Sequence, residues 1–287
     1  MSLLVTDDAG EGIDLGKLSA KFEVSNSAAS ASAFLKMTVY NLSADTIARV
    51  SDRYRKIEVV AGYPQRLGTI FRGEIRSIFT TKDGPDKLTE IFAREGALDM
   101  ENTVASGEFP AGTPVRDVVL ALALQAKSVT VNPDTLRFIT DATITGALSV
   151  DGMLRDELHK LAKSYDFRWM IQGGVFQFVD KSRPFTTPAI KISRETGMID
   201  SPVASSLAIE VLTLLDHNII PGRRVDIETA GALVSVGDRT LQSVPDFSLK
   251  SQSGGLFDVL RVSHIGETRG LPWYTKAYCR QIPTATV

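Results

Sequence analysis

Alternation of apolar and polar residues dominates the first third of the chain. The pattern is broadly strand-like from Ile13 to Leu42, and in Phe34–Tyr40 it sets Leu35, Met37 and Val39 on one face with Lys36 and Thr38 on the other, which predicts a half-buried strand. Asn41-Leu42-Ser43 breaks the alternation. Ser43 then caps a short helix whose Ile47 and Val50 return to the core. Strand character resumes at Ile57–Tyr63, turns through Pro64 to Gly68 and continues over Thr69–Ile78; Lys82–Asp86 is a turn signal before a further strand, Leu88–Arg94. These residues read as a small antiparallel sheet or barrel with one helix across an opening.

The period changes after Gly107. Thr113-Pro114 predicts a helix start, hydroxyl as cap and proline in the first helical position, followed by Val115, Val118, Val119, Leu122 and Ala126 at helical spacing. A second helix is expected from Ser149 or Asp151, with Leu154, Leu158, Leu161 and Tyr165 on one stripe. Phe167–Gln172, Gly173-Gly174 and Val175–Val179 then read as a hairpin. Both glycines can take positive φ, and the resulting register pairs Ile171 with Phe176 and Trp169 with Phe178 on one face.

Arg183-Pro184-Phe185-Thr186-Thr187-Pro188 is the best linker candidate. Beyond it strands are expected at Leu207–Leu215, Arg224–Thr229, Asp258–His264 and Tyr274–Ile282, with an exposed loop from Asp238 to Gly255. Ile70–Ile78 echoes Leu256–Ile265, a weak internal repeat. The fold class expected is α+β, mainly β: a β-rich segment over residues 1–100, an α+β insert over 101–185 and a second β-rich segment over 186–287.

Composition narrows the function. The 287 residues carry 32 basic and 34 acidic side chains for a net charge of −2, and no long Lys/Arg run supplies the concentrated basic surface that phosphate neutralisation needs. Cys279 is the only cysteine, so neither an internal disulfide nor a thiolate metal cluster is expected. The N-terminal MSLLVTDD lacks a basic n-region and a cleavage site, and no window approaches the ~20 apolar residues that span a bilayer; neither secretory export nor membrane insertion is expected.

Candidate chemistry is sparse. His159, His217 and His264 are far apart and belong to no HExxH, HxH or CxxC arrangement, so no metal is expected; each reads as an ordinary helix, turn or strand-end residue. There is no GxSxG elbow, and the serines of Val24–Ser27 and Pro202–Ser206 sit in loop-like contexts. Asp99 with Glu101, and Asp156 with Glu157, read as solvated surface acids rather than a catalytic pair. No GxxxxGK[ST] or GxGxxG cradles a phosphate, so no cofactor is expected.

The most specific tract is the last: Pro221–Ile227, then Gly255–Gly270 through His264-Ile265-Gly266, then Trp273-Tyr274-Thr275. With Val39-Tyr40-Asn41-Leu42, Ala61-Gly62-Tyr63, Ile70–Ile75 and the Trp169 hairpin, it resembles the baseplate hub family of contractile-tailed bacteriophages, related to late control protein D and to the hub part of type VI secretion spike proteins. Gly266-Glu267 stands where related hubs often show Gly-Asp.

The resemblance implies two tube-type antiparallel β-barrel domains flanking the insert. It also implies a homotrimer forming a pseudo-six-fold ring, which joins the tail tube protein to the central spike protein among other baseplate proteins. DNA would only transit the lumen, and the ring would be assembled in the host cytoplasm and housed in the virion tail baseplate. It implies no catalytic residue; His264, Arg269, Trp273 and Tyr274 are the expected interface residues. With no lysozyme-like or needle-like segment in the chain, spike and wall-degrading activity are expected elsewhere. The alternatives are a tail-associated peptidoglycan hydrolase, or a carbohydrate-binding module stacking sugars on Trp169 and Trp273.

Overall fold

The structure, a computed structural model, describes residues 1–28, 32–180, 188–204, 208–228, 235–236 and 255–281. The linker at Arg183–Thr187, the loop at 238–254, Ser205-Ser206 and the outer ends of three expected strands lie outside them. The first segment contains β1 (Ser2–Thr6), β2 (Gly12–Asp14), β3 (Ala20–Ser27), β4 (Phe34–Tyr40), α1 (Ala44–Asp52), β5 (Lys56–Tyr63), β6 (Arg66–Asp83) and β7 (Asp86–Arg94). Leu35, Met37 and Val39 are buried as the alternation requires, and the Ser43 hydroxyl accepts the Thr46 amide at 3.1 Å to cap α1.

Helix α2 (Ala97–Asn102) leads into the insert, which contains β8 (Val104–Phe109), α3 (Val115–Ala123), β9 (Thr130–Val131), β10 (Leu148–Met153), α4 (Leu154–Ser164), β11 (Phe167–Gln172) and β12 (Val175–Asp180). Two expectations are corrected. Pro114 is the N-cap of α3, and the Thr113 hydroxyl donates to the Pro110 carbonyl rather than capping. Residues 148–153, read as the start of the second helix, form β10 antiparallel to β8; α4 begins only at Leu154. The glycine-turned hairpin has the expected register, and Trp169, Ile171, Phe176 and Phe178 face the helices, each contributing about 1.5–3 kcal/mol of burial.

The last segment contains β13 (Ile190–Ile192), β14 (Val203–Ala204), β15 (Ile209–Leu214), β16 (Arg224–Ile227), β17 (Ser235–Val236), β18 (Gly255–Glu267) and β19 (Trp273–Gln281). Together the two β-rich segments make one hydrogen-bonded sheet of fourteen strands, joined where β18 pairs antiparallel with β3. Among the described residues no pairing closes this sheet into a barrel.

The two segments repeat one strand order: β3-β4-β7-β6-β5-β1 in the first, β14-β15-β19-β18-β16-β13 in the last. The correspondence holds residue by residue. Lys56 pairs with Glu74 as Arg224 pairs with Asp258, and both long strands shift register against their hairpin partners at the same place, between Ile75 and Ser77 in β6 and between Val259 and Arg261 in β18; β6 shifts a second time against β5, between Phe71 and Thr69. The Ile75 amide donates to the Arg55 carbonyl at 2.7 Å, and the Val259 amide to the Arg223 carbonyl at 2.9 Å. Thr80 meets Thr89 across one hairpin as His264 meets Thr275 across the other. The sequence echo between Ile70–Ile78 and Leu256–Ile265 falls on these equivalent strands. One difference is that β1 runs antiparallel to β5 and β13 parallel to β16.

Three large apolar clusters form, with a small fourth of Met170 and Val179 packed by Ala28 and Phe138. One centres on Phe22, Met37 and Phe71 and draws in Leu215; one on α3, α4 and the β11–β12 hairpin; one on Val211, Phe257, Val259 and Cys279. Buried carboxyls fasten the insert to the first segment. Glu95 is wholly buried, its Oε1 accepting the Arg72 amide at 3.1 Å and the Gly173 amide at 3.0 Å, while Oε2 has no hydrogen-bond partner among the described residues. Burial pushes the Glu95 carboxyl up to about 8. Glu74 accepts the Ala97 amide at 2.8 Å. Asp99, expected on the surface, is buried: it accepts the amides of Lys127, Ser128 and Val129 and the Ser128 hydroxyl, satisfying backbone just beyond α3. Its neighbour Glu101 reaches outward to Arg76 at 2.7 Å.

Candidate assembly interface

The strands β15, β19, β18, β3, β4 and β7 lie side by side, and alternation gives them one shared outer face. It carries Leu212 and Glu210 on β15, Tyr274, Lys276 and Tyr278 on β19, Ile265 and Glu267 on β18, Lys21 and Glu23 on β3, Lys36 and Tyr40 on β4, and Glu90 and Phe92 on β7. Each lysine there meets an acid on a neighbouring strand: Lys276 with Glu210 at 2.6 Å, Lys21 with Glu267 at 3.5 Å and Lys36 with Glu90 at 3.2 Å. Their ammonium groups also lie over Tyr278, Tyr40 and Phe92. The face is therefore wide and charge-balanced, with aromatics among the ion pairs.

Of the four residues expected at an interface, Tyr274 is half-buried and lies on this face. Arg269 is exposed in the loop joining β18 to β19, where it makes no ion pair among the described residues. That loop is held by its backbone: Thr268 donates its amide to the Ala20 carbonyl and its hydroxyl to the Leu18 carbonyl, both at 2.9 Å. It presents Leu271 at 98 % exposure, the most exposed large apolar side chain described and one that pattern reading passed over, because a lone leucine in a turn has no periodicity. Trp273 is half-buried, its ring edge-on to Phe22 at 5.5 Å against the first apolar cluster.

His264 is buried. Its Nδ1 lies 2.9 Å from the Thr275 hydroxyl, and burial pulls its imidazole down to about 4, so it is neutral and packs within the chain. The strand expected to stop there continues to Glu267. His159 is an exposed helix residue against the Trp169 edge, and the His217 ring rests on Gly68. Trp169, 5 % exposed, has no free face for stacking a sugar. No group of three or more His, Cys, Asp or Glu among the described residues is arranged to hold a metal, and no helix among them is long and apolar enough to cross a membrane.

A family profile described as baseplate hub gp41 matches residues 26–230, well over half of the chain. The chain belongs to that family. It is a component of the phage tail baseplate and a structural protein of contractile injection systems. The matched span takes in β4 to β16 and the whole insert, while the β18–β19 hairpin lies beyond it.

Solved structures share the fold. The 43 kDa tail protein of prophage MuSo2 from Shewanella oneidensis superposes with a TM-score of 0.57 at 7% identity, covering 97% of each chain. The tail protein from Neisseria meningitidis MC58 gives 0.58 at 12% identity, over 98% of this chain and 96% of its own. The E. coli c3393 protein, a type VI secretion component structurally similar to the T4 tail proteins gp27 and gp5, gives 0.57 at 9% identity, over 92% of this chain and 73% of its own. No curated protein matches the sequence.

Proposed function

We propose that the chain is the structural hub of a contractile phage tail: three copies form a pseudo-six-fold ring that joins the six-fold tail tube to the three-fold central spike. The observation that carries this reading is the repeated strand order, β3-β4-β7-β6-β5-β1 and β14-β15-β19-β18-β16-β13, within one continuous sheet. A chain holding two equivalent β units presents two near-equivalent surfaces, so a three-fold ring offers six to the tube. Each unit is a tube-type domain, residues 1–100 and 186–287, whose sheet closes only through neighbours; residues 101–185 are an inserted domain. The three large apolar clusters, one in each part, support that division.

The charge-balanced face suits the wall of a channel for DNA in transit, because paired lysines offer little net potential to phosphates. The role is mechanical. Catalysis is left to other chains, the ring touches spike, tube and other baseplate proteins without inserting in a membrane, and it is put together in the host cytoplasm. Electron microscopy tests this: the purified hub mixed with the tube protein of its own particle is expected to start tubes that carry a hub ring at one end. Tubes that form at the same rate and without a ring would overturn the reading.

A further inference from the structure

The junction between the two β units has a missing counterpart. In the last unit, β18 meets β16 over Gly255–Asp258 and then, on the same side, meets β3 over Arg261–Glu267. In the first unit the equivalent strand, β6, meets β5 up to Glu74, and beyond it the matching stretch, Ser77–Asp83, pairs among the described residues only with β7 on its other side. That edge is charged only toward the turn, by Lys82 and Asp83, and begins at the register shift between Ile75 and Ser77. It holds no proline, its centre is Thr80-Thr81, and Phe79 beside them is 55 % exposed. The counterpart of β3 is β14: Lys36 opposes Glu23 as its equivalent Glu210 opposes Val203.

We infer that this open edge takes up a second copy of the chain, β6 of one protomer pairing antiparallel with residues 201–204 of the next, Thr81 opposite Val203. The intermolecular junction thereby repeats the intramolecular β18–β3 junction, in which Ile265 opposes Glu23. The phase follows as well. The Ala28 amide donates to the Leu260 carbonyl at 2.8 Å, which makes Ile265 and Glu23 a non-hydrogen-bonded pair, with close side chains. Thr81 and Val203 inherit that geometry. In the single chain the outer side of β14 holds β17 through two parallel pairs, so that side already accepts a strand, and the incoming β6 takes its place. This inference rests on the trimeric reading above and specifies its contact.

The test is a cysteine pair in the full chain, Thr81→Cys with Val203→Cys, oxidised mildly and run on a non-reducing gel beside light scattering of the unaltered protein. Cys279 is buried, with its thiol pushed up to about 12, and stays out of the reaction. Most of the chain is expected in covalent dimers and trimers. Each single variant is expected to stay monomeric on the gel, and so is the off-register pair Asp83→Cys with Val203→Cys, whose side chains sit about 7–8 Å apart. A trimeric mass without this cross-link, or with equal cross-linking off register, overturns the strand pairing and leaves the trimer standing. A monomeric mass at every concentration overturns the trimer and the pairing with it.

Discussion

Glu95 turns burial into a pH dependence. Its carboxyl ionises near 4.5 in the unfolded chain and only near about 8 in the fold, so between those values the fold keeps a proton that the unfolded chain has lost, and stability falls as pH rises. Glu95→Gln keeps an acceptor for the Arg72 and Gly173 amides without the charge. In urea unfolding the variant is expected to lose the decline between pH 4.5 and about 8 and to be more stable than the parent at pH 9 by on the order of a few kcal/mol; an unchanged decline would assign it to other groups. His264 acts at the other end. The unfolded chain takes up a proton between 6.5 and about 4 that the fold excludes, so stability drops as pH falls through that range, and His264→Gln flattens this acid limb. The burial of His264 was missed because the strand was expected to end there, whereas it runs on to Glu267; the burial of Asp99 depends on backbone from distant Lys127–Val129 that no local pattern discloses.

At the scale of elements, local grammar was the reliable guide. The Gly173-Gly174 turn fixed a hairpin and its inward face from sequence alone, and Phe176→Ala is expected to cost about 3–5 kcal/mol in the unfolding of the insert, read by denaturant titration. What pattern reading missed was short and satisfied from afar. β1 exists because Leu3 and Val5 are buried and its backbone pairs with β5, and β10 because it pairs with β8 across the whole of α3. Ser149 and Asp151 resemble helix caps, yet β10 occupies them. The loop between β18 and β19 leaves Arg269 and Leu271 exposed, and we propose it as a contact surface. Arg269→Ala combined with Leu271→Ser is expected to leave the melting temperature within about 1–2 °C while lowering co-purification with tail partners. A large drop in melting temperature would assign the loop to folding instead.

For the whole molecule, the decisive feature is that two β units with no detectable common motif beyond one weak echo share strand order, register shift and a polar pair at the same place across the hairpin. Strand order is a property of long-range pairing, which sequence periodicity does not encode, so the mainly β class was legible and the single fourteen-stranded sheet was not. Among the described residues the sheet is open and the outer half of β6 has no partner on one side, which fits the proposed ring. The measurement that bears most directly on that claim is the solution mass of the purified chain by size-exclusion chromatography with light scattering. Three copies of the 31.2 kDa chain, about 94 kDa and unchanged on dilution, are what a closed three-fold hub requires; a monomer that persists at high concentration and in the presence of the spike chain would contradict it.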